Sequence, residues 1–341
     1  MKTLLISVMI LSSLFFGSTG AELPNKDNKP KKIVTATQRI YLPEYPGAHN
    51  PSIIRYNDNY LLTFRYLPNR YDLPWLSYIG VVLLDDSFEP IFSSQLIDTR
   101  LYNNTTPSQS EDARIFACND KCYVVYNDNT EVTFPSIWDR RDMFIAELTF
   151  ENDQFVLTEP LKLVHENKYA HVLWQKNWSP FEWNGKLLFS YSINPHEVIS
   201  PNLETGICKP LYETNKPIQW YLGRLRGDTP AQKIDSGNYL AFFHSGVYCS
   251  SNCSNDRDLW HYYMGAYTFS SQPPFAVNRI SRAPIESPGF YTFSSYDKRV
   301  IYPGGFIVEG STIYLAYGKD DSEIWIATID LNNLIDSMVP I

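Results

Sequence analysis

The feature that most constrains this chain is a hairpin pattern that recurs five times. Each copy has a polar start, a short apolar run, a turn, and an apolar-aromatic strand with a polar end. The copies read NPSIIRYNDNYLLTFR, DARIFACNDKCYVVYN, NWSPFEWNGKLLFSYS, TPAQKIDSGNYLAFFH and YPGGFIVEGSTIYLAY. Apolar runs broken by Asn, Asp and Gly are hairpin signals. The second turn residues are Asp58, Asp120, Gly185, Gly237 and Gly310, at intervals of 62, 65, 52 and 73 residues. Each interval leaves room for a four-stranded sheet with its loops. The outer strands read YIGVVLLD, DMFIAELTF, HYYMGAYTF and EIWIATID, and the third unit is least legible after SYSINPHEVI. Repeated sheets arranged around an axis protect their edges. The pattern therefore predicts an all-β fold, a five-bladed β-propeller. The period exceeds that of WD repeats and no Trp-Asp pair ends the units, which argues against a scaffold propeller of that type.

The register of the copies locates a candidate site. Eight residues before the turn positions stand Asn50, Asp112, Asn177, Thr229 and Tyr302. Seven residues after them stand Arg65, Asn127, Ser192, His244 and Tyr317. Inner strands of a propeller line its channel, so these ends are expected to converge at one axial mouth. The same register explains part of why Glu111, Asp112 and Arg114 crowd the entrance of an apolar strand: Asp112 does not enter a core but is expected to face a shared polar pocket with Arg65, Asn177 and His244 nearby. Set against this is the plain reading that strand ends are polar because they emerge into loops.

Other features bound the function. Aromatic residues make up 15% of the chain, which suits strands and flat platforms for sugar rings. The net charge of −8 excludes the basic surface that nucleic acid needs. Lys2, the run LLISVMILSSLFF and the small residues GSTGA form a signal peptide over residues 1–21. A polar leader is expected over 22–40 and a single domain over 41–341. The protein is thus expected to be secreted or periplasmic, with no membrane insertion of the mature chain. In that setting Cys118 with Cys122, and Cys249 with Cys253, are candidates for local disulfides, and Cys208 is left over. Zinc held by the four paired cysteines is the sharper alternative, but the pairs lie far apart, and no metal is expected. The tripeptide RGD, Arg226 to Asp228, fits the fourth repeat better than an adhesion motif. No phosphate-binding glycine loop is present, since no Gly-Lys-Ser/Thr follows the turn glycines.

The ordered motifs NPSIIRYNDNYLLTFR, EDARIF, KNWSPFEWNGKLLFSYS, GDTPAQKIDSGNYLAFFH, YYMGAYTF, YPGGFIVEG and YGKDDSEIWIATID resemble the five-bladed propeller enzymes of glycoside hydrolase family 130. These are mannoside phosphorylases and β-1,2-mannosidases. The resemblance spans about residues 45 to 331. It implies Asp112 as general acid, with Ala113 in place of the usual Pro. It implies Asn50, Arg65, Asn177 and Asp321 as substrate-binding residues, and Arg65, Lys176 and His244 as phosphate-binding residues. A further Arg of the phosphorylases, after the second strand of the third unit, is missing here: the chain reads SYSINPH.

The implied activity is cleavage of β-mannosidic linkages with inversion, on a mannose-containing oligosaccharide or glycan. No cofactor is implied beyond inorganic phosphate as co-substrate of a phosphorylase. Inverting hydrolysis needs a second carboxylate, with candidates in Glu182, Glu197, Asp228, Asp258 and Glu286. Export favours hydrolysis, because phosphorolysis would release sugar phosphate outside the cell. An acid at Asp112 must keep its proton near neutral pH, through burial or through Glu111. Arg114 is a candidate partner for Glu111 or Asp139. Tyr66, Trp138, Trp174, Trp178 and Tyr263 are candidate sugar platforms. The rival readings are a non-catalytic sugar-binding propeller and a protein-interaction propeller.

Overall fold

The computed structural model describes residues 31–70, 76–100, 108–131, 140–234 and 237–341. The expected signal peptide and the first part of the leader lie outside the described residues.

The turn residues behave as their chemistry requires. Asn57, Asn119, Asp120, Asn184, Gly185, Gly237 and Gly310 all take positive φ, between 51° and 77°. Asn, Asp and Gly enter this left-handed region at the least cost, which is why the hairpins carry them. Strands fold back on each turn. The first unit runs His49–Tyr56, Asn59–Tyr66, Tyr78–Leu84 and Gln95–Ile97, each antiparallel to the next. The second runs Glu111–Cys118, Lys121–Glu131, Arg140–Glu151 and Gln154–Leu157. The third runs Ser179–Trp183, Lys186–Ile193, His196–Pro201 and Ile207–Thr214. In the fourth, Asn238–Cys249 pairs with Leu259–Ser270, which pairs with Val277–Ser281. Its innermost strand is broken into Arg226–Gly227 and Gln232–Lys233.

The fifth unit, Lys298–Glu309, Thr312–Lys319 and Glu323–Asp330, takes its outer strand from the other end of the chain. Val34–Ile40 pairs antiparallel with Glu323–Asp330. This corrects the expected leader: residues 34–40 are strand, paired along Glu323–Asp330 and anchored by Val34 and Ile40, which are buried at its two ends. One short helix, Leu331–Ser337, is capped by Asp330, whose carboxylate accepts from the Asn333 amide at 2.8 Å. No helix among the described residues is long and apolar enough to cross a membrane.

The core shows how the units meet. Strand side chains alternate between faces, so one strand feeds two clusters. Leu240 and Phe242 pack toward Phe306 and Leu315 of the fifth unit, while Tyr239, Ala241 and Phe243 pack toward Phe181 and Leu188 of the third. The same division joins second to third through Phe116 and Trp178, first to second through Leu61 and Ile115, and fifth to first through Ile326 and Ile53. The succession closes on itself, a propeller-like ring.

The disulfide expectation is overturned: all five cysteines are free. Cys118 sits opposite Lys121, and Cys122 opposite Ala117. Their thiols point to opposite sheet faces, Cys118 into the cluster shared with the third unit and Cys122 toward that shared with the first. Cys249 and Cys253 take separate partners. The sulfur of Cys249 lies 3.7 Å from His261 Nδ1, and that of Cys253 lies 3.1 Å from Ser251 Oγ. The two pairs stand in different units, second and fourth.

Candidate active site

Strands of several units begin at one axial mouth, around a cavity of about 520 Å³. Every residue implied by the resemblance lines it: Asn50, Arg65, Asp112, Lys176, Asn177, His244 and Asp321. Four of them are held in an unusual backbone state, Asp321 in a turn at φ 52° and three at the inner strands. Asn50, Asp112 and Asn177 have φ of 48°, 53° and 63°. Each precedes or opens an inner strand, and the first two sit where the register of the strand pair shifts. Non-glycine residues held in this region cluster at functional sites, and the short Asn and Asp side chains tolerate it best.

Asp112 is the buried centre of this group. Its Oδ1 accepts from Asn50 Nδ2 at 2.8 Å and lies 3.6 Å from Arg65 Nη1. Asn50 is seated by the fifth unit: a Cβ on Gly318 would stand 2.4 Å from its Oδ1. Only glycine leaves room there.

Glu111 shares Arg65 with Asp112 and is surrounded by further cations. It is 3.0 Å from Arg65, 3.1 Å from Arg141 and 2.6 Å from Lys176. Burial alone would raise its pKa, but Arg65, Lys176 and Arg141 outweigh burial and hold it well below the usual carboxylate range. Glu111 thus fixes the basic side of the cavity as an ionised counter-charge. Across the cavity, Asp321 lies 3.3 Å from Lys298. Burial would raise its carboxyl, and Lys298, His49 and Arg65 bring it below its ordinary value. His49, fully packed and beside Arg65, is pushed down to about 4 and is neutral at physiological pH.

Among the described residues Arg114 does not pair with Glu111. It is fully buried and ties four units together. It donates to the Asp112 carbonyl at 3.0 Å, to Asn177 Oδ1 at 3.2 Å and to the Tyr302 hydroxyl at 2.9 Å. Its ion partner is Asp228, at 3.6 Å. Asp139 lies outside the described residues.

The candidate platforms mostly serve other ends. Trp178 is buried against Phe189, Tyr66 packs edge-on to Tyr45, and Tyr263 packs against His261 and Tyr291. Trp174 is exposed, 5.4 Å from Lys176. Trp138 lies outside the described residues. The aromatic rings on the cavity wall are Tyr262, Tyr296 and Tyr302. Sequence reasoning also missed Arg70, Arg226 and Lys298, which bring further positive charge to the cavity. Arg226 had a legible signal: two residues before Asp228, it pairs through its backbone with His244.

Of the candidate bases, Glu182, Asp258 and Glu286 are exposed on the surface. Glu197 is buried against His165 and Lys168, apart from the cavity lining. Asp228 is buried behind His244.

No protein-family model matches the chain. A stretch of 70 residues is 40% identical to β-mannosyltransferase 1 of Komagataella phaffii, over 18% of this chain. That match spans only 10% of the length of the curated relative. Likeness to solved structures is much broader. A β-1,2-mannobiose phosphorylase from Listeria innocua, in complex with β-1,2-mannobiose, superposes with a TM-score of 0.57 at 19% identity, over 90% of this chain and 94% of that one. A mannose phosphorylase from Leishmania mexicana, in complex with phosphate, gives 0.59 at 12% identity, over 91% and 92%. A GDP-Man-dependent mannosyltransferase from the same organism gives 0.51 at 12% identity, over 88% and 90%. The chain therefore has the all-β, propeller-like fold on which these mannoside phosphorylases and a mannosyltransferase are built.

Proposed function

We propose that this protein is an enzyme acting on β-linked mannosides, with Asp112 as the proton-carrying group and an anionic co-substrate beside it. The observation that carries this reading is the pairing, in one cavity, of Asp112 with Arg65, Lys176, Arg226 and His244. A phosphate dianion leaving water needs several such donors. Arg226 supports the anion side in place of the Arg absent from the third unit.

The proposed chemistry is inverting phosphorolysis. Phosphate oxygen attacks the anomeric carbon of the terminal mannose from one face. The bond to the leaving oxygen breaks on the other, and the proton on Asp112 passes to that oxygen. The products are mannose 1-phosphate and the shortened glycan. Phosphorolysis is preferred to hydrolysis because the cavity gathers cations and most of its other carboxylates are engaged: Glu111 is held by Arg65, Arg141 and Lys176, Asp321 by Lys298, and Asp320 accepts from the Val300 amide, which leaves Asp297 as the candidate base of a hydrolase.

A second reading rests on the match to β-mannosyltransferase 1 and on the fold shared with the GDP-Man-dependent enzyme. The same cations suit the diphosphate of a nucleotide sugar, and the reaction then runs toward synthesis of the linkage. The apolar N-terminal segment supports export, which by itself weighs toward hydrolysis and against both readings.

The test is product analysis with β-manno-oligosaccharides, with and without phosphate, and with GDP-mannose plus acceptor. Mannose 1-phosphate formed only with phosphate supports phosphorolysis. Chain extension with GDP-mannose supports transfer. Free mannose in all conditions overturns the anion reading in favour of hydrolysis. No product in any condition favours a sugar-binding protein.

A further inference from the structure

Asp228 takes no part in the chemistry above, yet it is among the most deeply placed charges in the protein. It occupies the break in the innermost strand of the fourth unit, between Arg226–Gly227 and Gln232–Lys233. Neither its side chain nor that of Arg114 has exposed surface. Its two carboxylate oxygens lie 2.7 and 2.6 Å from His244 Nδ1. Arg114 Nη2 stands 3.6 Å from Oδ1, and Arg114 Nε also donates to the Asp228 backbone carbonyl. The ring of His244 is flanked by Tyr262 and Tyr302, with centroids 5.5 and 5.3 Å away. Its second nitrogen, Nε2, has no hydrogen-bond partner among the described residues, and His244 lines the cavity.

We propose that Asp228 is a positioning residue: anchored by Arg114, it fixes His244 with the proton on Nδ1 and turns Nε2 toward the bound anion. An imidazole without such a partner can carry its proton on either nitrogen, and the hydrogen bond at one nitrogen decides the state of the other. A carboxylate accepts and does not donate, so it selects Nδ1–H. Nε2 then meets the cavity as the variable position. When protonated, it donates to an anion with the Asp228 charge behind it.

The assignment gives the RGD tripeptide a local use. Arg226 pairs with the His244 backbone. Gly227 permits close approach of the third unit, since a Cβ there would stand 2.6 Å from Ser179 Oγ. Asp228 holds the ring. The inference rests on the proposed anion site for its consequence, but the tautomer is readable without it.

The experiment is nitrogen NMR of the full chain carrying ¹⁵N-labelled histidine, titrated with inorganic phosphate. The His244 signals are assigned by their loss in His244→Gln. The expected result on the neutral ring is protonated Nδ1 and bare Nε2, with phosphate moving the Nε2 signal. Asp228→Asn should mix the tautomers and weaken phosphate binding by about tenfold or more. A neutral wild-type ring protonated on Nε2, or an Asp228→Asn protein with unchanged tautomer and affinity, overturns the proposal. If Asp228→Asn does not fold, the wild-type tautomer alone decides. If the tautomer is as expected but phosphate does not bind, the positioning role stands and the anion reading of the site fails.

Discussion

Two buried carboxylates, Glu111 and Glu197, sit in surroundings that look alike in a table of charges and differ in everything else. Glu111 is held by Arg65, Arg141 and Lys176. Glu197 is held by His165 at 3.0 Å and by Lys168, whose ammonium also lies 4.5 Å from the Tyr191 ring. In both, burial raises the pKa and the cationic partners bring it below its ordinary value. Yet only Glu111 borders an open cavity, and only it adjoins a left-handed backbone, at Asp112. A compensated buried charge is therefore weak evidence of function. Open volume and a strained backbone beside the charge are what mark the site.

Replacement of Asp112 by Asn should test that contrast most severely. Turnover is expected to fall by roughly 10²- to 10⁴-fold, with the thermal midpoint little changed. Unchanged turnover would remove Asp112 from the acid role. Glu111→Gln should act on both properties. It leaves Arg65, Arg141 and Lys176 short of a counter-charge, costs about 3–5 kcal/mol of stability and raises KM for phosphate. Glu197→Gln should cost stability of similar size but leave kcat/KM per folded molecule unchanged; an equal loss of activity would break the comparison.

The smallest effect is on acid stability. Both folded pKa values lie below those of the unfolded chain. Their contributions are therefore fully present above the ordinary carboxylate range, near pH 4.3 for Glu, and are lost as pH falls through the folded values. Denaturant midpoints measured from neutral pH downward should show a shallower acid limb for each Gln variant than for the wild type. Identical limbs would mean that neither carboxylate is ionised by its partners.

Much of this was legible because the repeat fixes a register. Counting from the turns brings Asn50, Asp112, Asn177, Arg65 and His244 to one mouth, since strands of similar length rising from similar turns end at similar height. The count failed at Asn127, Ser192, Thr229 and Tyr317, none of which lines the cavity, because the height of a strand end does not fix the face its side chain takes: Tyr317 packs against Phe290 in the core. The partner of Arg114 was hidden for a different reason. Asp228 is 114 residues away in sequence, in a strand break that no local pattern announces. Cysteine spacing misled because Cys118 and Cys122 are close along the chain, while strand alternation sends them to opposite faces.

The outer strand Val34–Ile40 has a consequence for how the molecule is made. Thr35 bonds to Thr328, 293 residues later, so one of the first ordered segments to leave the ribosome finds its partner only when synthesis is almost over. Until then its pairing edge and the apolar side of the fifth unit have nothing to cover them. Contacts of such sequence separation slow folding. A polypeptide closed in this way is vulnerable for the whole time of its own translation. Premature termination anywhere before residue 324 leaves a ring that cannot shut.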